Sequence, residues 1–108
     1  MKYKVLSIPP FDRQLKRLSK KYSSLKNEFA DLLKSLERAP EYGTPLGNNC
    51  YKIRIAIASK RKGKSGGARV ITNFVVRDKI VYLLAIYDKS EKDNLTDKEL
   101  HELLNRVP

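Results

Sequence analysis

An α+β domain is the architecture this sequence predicts, and three observations carry that reading. Apolar residues recur at spacings of three and four from Phe11 to Leu36, at spacings of two from Tyr51 to Ile57, and again at helical spacing after Thr96. The expected order is β-α-α-β-β-β-α: a helical hairpin packed on a curled, mainly antiparallel sheet, closed by a short C-terminal helix. At 108 residues the chain is sized for one domain, 1–108, with no internal repeat and no linker.

Each element has its own signal. Tyr3 to Ile8 reads as a short extended segment that Pro9-Pro10 ends, because neither proline can donate to a strand ladder. Phe11, Leu15, Leu18, Tyr22, Leu25, Phe29, Leu32, Leu33 and Leu36 form an amphipathic stripe. Unbroken, a helix of about 28 residues would reach about 42 Å, too long for the domain, so a break at Tyr22-Ser23-Ser24 and a hairpin are expected. Residues 39–49 hold two prolines, two glycines and two asparagines and read as a loop. Tyr51, Ile53, Ile55 and Ile57 alternate with Lys52, Arg54, Ala56 and Ala58, as in a half-buried strand. Residues 59–67 read as a mobile basic loop, 68–77 as a strand, and Asp78-Lys79 as a tight turn. The stretch 80–87 is so apolar that it should be a strand covered on both faces. Thr96-Asp97-Lys98-Glu99 has the form of a capping box, with Leu95 and Leu100 placed as a hydrophobic staple. Leu100, Leu103, Leu104 and Val107 are the buried stripe of the last helix.

Composition narrows the function. One cysteine allows no internal disulfide and no thiolate zinc site. No apolar run approaches the roughly 20 residues of a membrane helix, and Pro9-Pro10 interrupts the N-terminus before a signal-peptide core could form. A soluble, cytoplasmic protein without a membrane is expected. The net charge is +11 and unevenly placed. Residues 1–87 carry 19 Lys/Arg against six acids, whereas six of the 12 acids crowd between Asp88 and Glu102. Seven basic residues and no acid lie between Lys52 and Arg69. Such a surplus draws polyanions and favours a nucleic-acid or ribosome partner; the bland alternative is a lysine-rich surface that keeps the chain in solution.

Most standard catalytic sets are missing. His101, the only histidine, sits among acids on the last helix and reads as a solvated residue. Cys50 has no histidine partner nearby and reads as a small packed residue. Asp88, Glu91 and Asp93 are interleaved with lysines and read as a solvated helix approach, not a metal site. Ser65-Gly66-Gly67 lacks the lysine and the strand-to-helix context of a nucleotide loop. No metal or cofactor is expected. What remains is cationic: Lys52 and Arg54 share one face of a strand, and Arg69 opens the strand that pairs with it. With strands about 4.8 Å apart, the three charges crowd together, either because an anion such as a phosphodiester binds there or because long side chains snorkel along a sheet edge.

At these residues the sequence resembles the RelE/ParE toxin superfamily. The likeness rests on Cys50-Tyr51-Lys52-Ile53-Arg54, on Gly66-Gly67-Ala68-Arg69-Val70-Ile71, and on the run from Ile80 to Lys89, and it covers nearly the whole chain. The basic loop, the Gly-Gly-x-Arg-Val-Ile start, and Tyr87-Asp88-Lys89-Ser90-Glu91 with Leu95-Thr96 look most like the HigB-type branch. The resemblance implies the toxin of a bacterial type II toxin–antitoxin pair: a metal-independent endoribonuclease that cuts messenger RNA in the ribosomal A site by 2′-hydroxyl attack. It implies that Lys52 and Arg54 hold RNA and assist proton transfer, that Arg69 binds the scissile phosphate, and that Lys89 is a second cation where the family usually has arginine. Lysine there gives a point charge, not a fork. Leu95 falls where RelE members carry a tyrosine, Tyr87 is the nearest substitute, and His101 lies too far along to serve. Lys60, Arg61, Lys62 and Lys64 would clamp RNA backbone. Crowded cations would also shift Lys52 toward service as the general base. The implied partners are the ribosome, messenger RNA and an acidic, helix-turn-helix antitoxin. Two rival readings are a ParE-like inhibitor of DNA gyrase and a non-catalytic basic RNA-binding module.

Overall fold

The computed structural model describes residues 2–60 and 66–108. In chain order these form β1 (Lys4–Ser7), α1 (Pro9–Lys21), α2 (Leu25–Arg38), β2 (Thr44–Gly47), β3 (Cys50–Ile55), a 3-10 turn (Ala58–Lys60), β4 (Ala68–Val75), β5 (Ile80–Asp88) and α3 (Asp97–Leu104). The five strands make one sheet in the order β1-β5-β4-β3-β2, antiparallel except where β1 runs parallel to β5. The α+β class and the mainly antiparallel sheet are as the sequence predicts.

The helical break falls where the serines stand: α1 ends at Lys21 and α2 begins at Leu25. Phe11 and Leu18 from α1 and Leu25, Leu32 and Leu36 from α2 are buried. Fully burying one such side chain stabilises a fold by about 1.5–3 kcal/mol. Two local expectations change. Pro9 and Pro10 do end β1, but they also occupy the first turn of α1, where a preset φ suits the helix and a missing N–H costs nothing. The stretch 39–49 is not all loop, for Thr44–Gly47 pairs with β3. Asn48 and Asn49 take left-handed backbone, φ 54° and 58°, as the two-residue hairpin turn between such strands requires.

The register assigns the two faces. Ile53, Val70 and Ile86 stand opposite one another across β3, β4 and β5, and directly opposed residues share a face. With α1 packed on β5, this is the helix-covered face. The other carries Lys52, Ile71 and Ala85 in one row and Arg54, Arg69 and Tyr87 in the next. Ile71 and Val70 point opposite ways, yet both are fully buried. The sheet is therefore covered on both sides at β4, and α3, which contacts β5, supplies the second cover. Its capping box is formed as the sequence predicts: the Thr96 hydroxyl accepts from the Glu99 N–H at 3.1 Å, and the Glu99 carboxylate accepts from the Thr96 N–H at 3.0 Å. At Leu84 one extra residue of β5 breaks the register between Ile71 and Thr72, and close by the buried Thr72 hydroxyl has no partner among the described residues. No helix among these residues is long and apolar enough to cross a membrane.

Candidate nucleic-acid interface

The site is built by strand alternation. Lys52 and Arg54 are two apart on β3, Arg54 lies directly opposite Arg69, and Arg69 lies directly opposite Tyr87. Lys52, Arg54, Arg69 and Tyr87 thus share the face of the sheet turned away from the helical hairpin. Gly67 allows the approach that starts this pairing: a Cβ there would stand 1.9 Å from the Ile55 carbonyl oxygen, so only glycine lets β4 enter beside β3.

The members differ in exposure and partners. Arg54 is exposed, Lys52 half-buried and Arg69 buried, its guanidinium donating to the Ala68 carbonyl at 3.3 Å. Among the described residues no carboxylate ion-pairs with Lys52 or Arg54. Tyr87 is buried, and its hydroxyl has no hydrogen-bond partner among these residues. Burial pushes the phenol above its ordinary value, partly offset by the Arg69 charge, so it is protonated at neutral pH and offers a donor.

Lys89 follows β5 on the same side, but its charge is already met. Its ammonium donates to the Asp93 carbonyl at 2.6 Å and to the Asp93 carboxylate at 2.8 Å. Those bonds, helped by the nearby charges of Lys89 and Lys52, hold the Asp93 carboxyl below its usual value. Asp93, 95% exposed as a side chain, is the carboxylate that pairs with Lys89, a partner the sequence reading did not name. The signal was there: Lys89 and Asp93 are four residues apart.

Lys60 corrects an expectation. Its ammonium does not project from a basic loop but is 8% exposed, bonded to Asp88 and, at 3.0 Å, to the Ser90 hydroxyl. It lies on the helix-covered side, because Asp88 does. Asp88 in turn is no solvated acid: it is fully buried and also accepts from the Tyr22 hydroxyl and from the Ser90 N–H and hydroxyl. Burial alone would raise this carboxyl; the bonds from Lys60, Tyr22 and Ser90 outweigh it and hold it well below the usual carboxylate range. Arg61, Lys62 and Lys64 lie outside the described residues. Cys50 is buried beside the Asn73 amide, its thiol pushed up by burial, while His101 is exposed on α3 and Leu95 is half-buried beside it. Among the described residues no three His, Cys, Asp or Glu side chains gather as a metal site.

Two solved structures share this fold. A mutant of the E. coli toxin RelE with two arginine-to-alanine substitutions, in the free state, aligns over 100% of both chains with a TM-score of 0.69 at 15% identity. The isolated E. coli RelE toxin aligns over 97% of this chain and 99% of its own with a TM-score of 0.52 at 14% identity. At sequence level, residues 11–106 match the family described as the RelE toxin of the RelE/RelB toxin–antitoxin system. That match runs from the first turn of α1 past the end of α3 and takes in every strand of the cationic face, so this chain belongs to the RelE toxin family.

Proposed function

We propose that this toxin is a metal-independent endoribonuclease of the HigB type, cutting messenger RNA in the ribosomal A site, and that Lys52, Arg54, Arg69 and Lys89 carry the reaction. The observation that supports it most is the row Arg54–Arg69–Tyr87 with Lys52 beside it, a cationic face that ends in a phenol with an open hydrogen bond. A phosphodiester suits the row, since an arginine fork matches two phosphate oxygens.

The reaction balances without a co-reactant. Lys52, acting as the neutral amine, takes the proton of the ribose 2′-hydroxyl as that oxygen attacks phosphorus. Arg54 and Arg69 face the charge that grows on the phosphate oxygens, and Lys89, steadied by Asp93, gives a proton to the departing 5′-oxygen. A 2′,3′-cyclic phosphate and a 5′-hydroxyl remain. Tyr87 would reach the RNA through its hydroxyl only once binding uncovers it, since that oxygen is buried in the free chain. Incubating the chain with translating ribosomes and messenger RNA tests the reading: new A-site ends carrying cyclic phosphate are expected, and Lys52→Ala and Arg69→Ala should each remove them. Intact RNA with blocked gyrase supercoiling would overturn it, as would tight RNA binding with no new ends.

A further inference from the structure

β3 is longer than the strand that borders it. It runs from Cys50 to Ile55, but β2 pairs with it only from Cys50 to Lys52. Gly43 sets that limit. Its φ is 112°, and a Cβ there would stand 2.6 Å from the Lys52 carbonyl oxygen, so glycine is what lets the chain turn into β2 at this point. Tyr42, one residue earlier and 42% exposed, is left beside the stretch of β3 that β2 does not reach.

A cavity of about 220 Å³ opens there, lined by residues 53–56, by Tyr42, and by Glu28 and Asp31 of α2. Drug-sized ligands fill roughly 300–1,000 Å³, so this space suits a single planar ring system. Arg54 belongs both to the cavity and to the row Arg54–Arg69–Tyr87, and so joins the two. Tyr42 brings an aromatic surface, on which the unstacked bases of single-stranded RNA settle.

The acids decide which base. The Glu28 carboxylate is occupied, accepting from the Ser24 hydroxyl at 3.1 Å and from the Ala58 N–H at 2.6 Å. The Asp31 carboxylate is exposed and has no partner among the described residues. An ionised carboxylate repels a phosphate and only accepts hydrogen bonds, so it selects a base with donors to give. Guanine alone sets two kinds of N–H, N1 and the 2-amino group, side by side on its pairing edge. We infer that this cavity receives a guanine of the RNA next to the bound phosphate, stacked on Tyr42 and held at that edge by Asp31. A basic peptide would answer Asp31 but would meet the Arg54 charge at the entrance. The inference rests on the proposal that RNA lies across the cationic face, and adds where the strand leaves the sheet and which base it prefers.

Binding of short single-stranded RNAs to the full chain, without ribosomes and at low salt, tests it. Three oligomers, otherwise all uridine, carry one central guanosine, inosine or adenosine; inosine lacks only the 2-amino group of guanosine. The guanosine oligomer should bind at least about tenfold tighter than either of the others, the effect of a hydrogen bond to a charged group. Asp31→Asn, at an exposed position, should cut that preference to less than about twofold. Tyr42→Ala should weaken binding of the guanosine oligomer about tenfold, as the loss of one stacked base does, and Tyr42→Phe should restore it. Equal affinity of the wild type for guanosine and inosine overturns the inference, and so does a guanosine preference that survives Asp31→Asn. Variants that bind every oligomer as the wild type does, yet lose affinity for the antitoxin, would make the cavity a protein site and overturn it too. Cleavage with translating ribosomes keeps the two readings apart: an RNA-inert wild type that still prefers guanosine would sink the nuclease and leave the cavity standing. Cleavage without that preference would do the reverse.

Discussion

Tyr87 and Asp88 are neighbours in β5, point to opposite faces of the sheet, and end in opposite circumstances. Asp88, under the helical hairpin, is fully buried and surrounded by donors: Lys60, the Tyr22 hydroxyl and both hydrogens of Ser90. Tyr87, on the other face, is nearly as buried, yet its hydroxyl meets nothing among the described residues. Arg54 and Lys52 lie on that face with no carboxylate paired to them among the described residues. Low dielectric makes an unmet polar group costly, so a fold that saturates one centre and leaves its neighbour open separates a structural device from a binding one. The saturated centre ties the end of α1 and the root of the basic segment to the last strand. On the proposed reading, the open centre is where the phosphate of the RNA would find its partners.

The sharpest way to break this contrast is at Asp88. Asp88→Asn leaves the Lys60 ammonium buried against a neutral group and should cost about 3–5 kcal/mol of stability, read from urea unfolding. The pH dependence has a fixed sign. The carboxyl titrates lower in the fold than in the unfolded chain, so its contribution is complete above the ordinary value near 3.9 and is lost as pH falls through the lower folded one. Asp88→Asn should therefore flatten the acid limb of the stability curve. At the other centre Arg69→Ala should lower cleavage by roughly 10²–10³-fold, the usual effect of removing a group aimed at developing charge. Its unfolding midpoint should move far less than that of Asp88→Asn. If Arg69→Ala unfolds the protein and Asp88→Asn abolishes cleavage in a stable fold, the two roles are reversed.

Much of this was legible in the chain, and the exceptions share one cause. Period-two alternation put Lys52 and Arg54 on one face, and a hairpin pairing across the basic segment brought Arg69 beside them, because strand geometry is local and repetitive. The Thr96–Glu99 capping box was legible for the same reason. Lys60 and Asp88 were misread, since their meeting depends on how a 3-10 turn, the end of α1 and the end of β5 come together across 28 residues. A lysine in a basic run looks solvated until a distant carboxylate claims it. Likewise β2 hid in a stretch full of turn residues, because two asparagines that signal a loop also close a hairpin.

Smaller changes sharpen the comparison. Thr96→Ala removes the cap of α3, the helix over the open centre, and should cost about 1 kcal/mol. The Lys92 ammonium and the Thr96 N–H and hydroxyl hold the Glu99 carboxyl at about 2. Its support for that helix start is therefore present above the ordinary glutamate range and fades as pH falls toward the folded value. In Thr96→Ala the helix signal should consequently fall at a higher pH than in the wild type, by circular dichroism.

The smallest effect is the most telling. Tyr87→Phe deletes one oxygen that bonds to nothing among the described residues, so the fold loses no hydrogen bond and sheds the cost of an unmet buried hydroxyl. Stability should stay level or rise by up to about 1 kcal/mol. On the proposed reading RNA, by contrast, would lose a donor that its binding must first uncover, since the hydroxyl is closed to solvent in the free chain, and KM should rise severalfold while kcat changes little. The same substitution at Tyr22, whose hydroxyl bonds Asp88, should do the reverse: lower stability with KM unchanged. Two tyrosine-to-phenylalanine changes with opposite signs in stability and in RNA binding are what a saturated centre beside an open one requires. A Tyr87→Phe protein that is less stable and binds RNA as before would mean that the hydroxyl serves the fold.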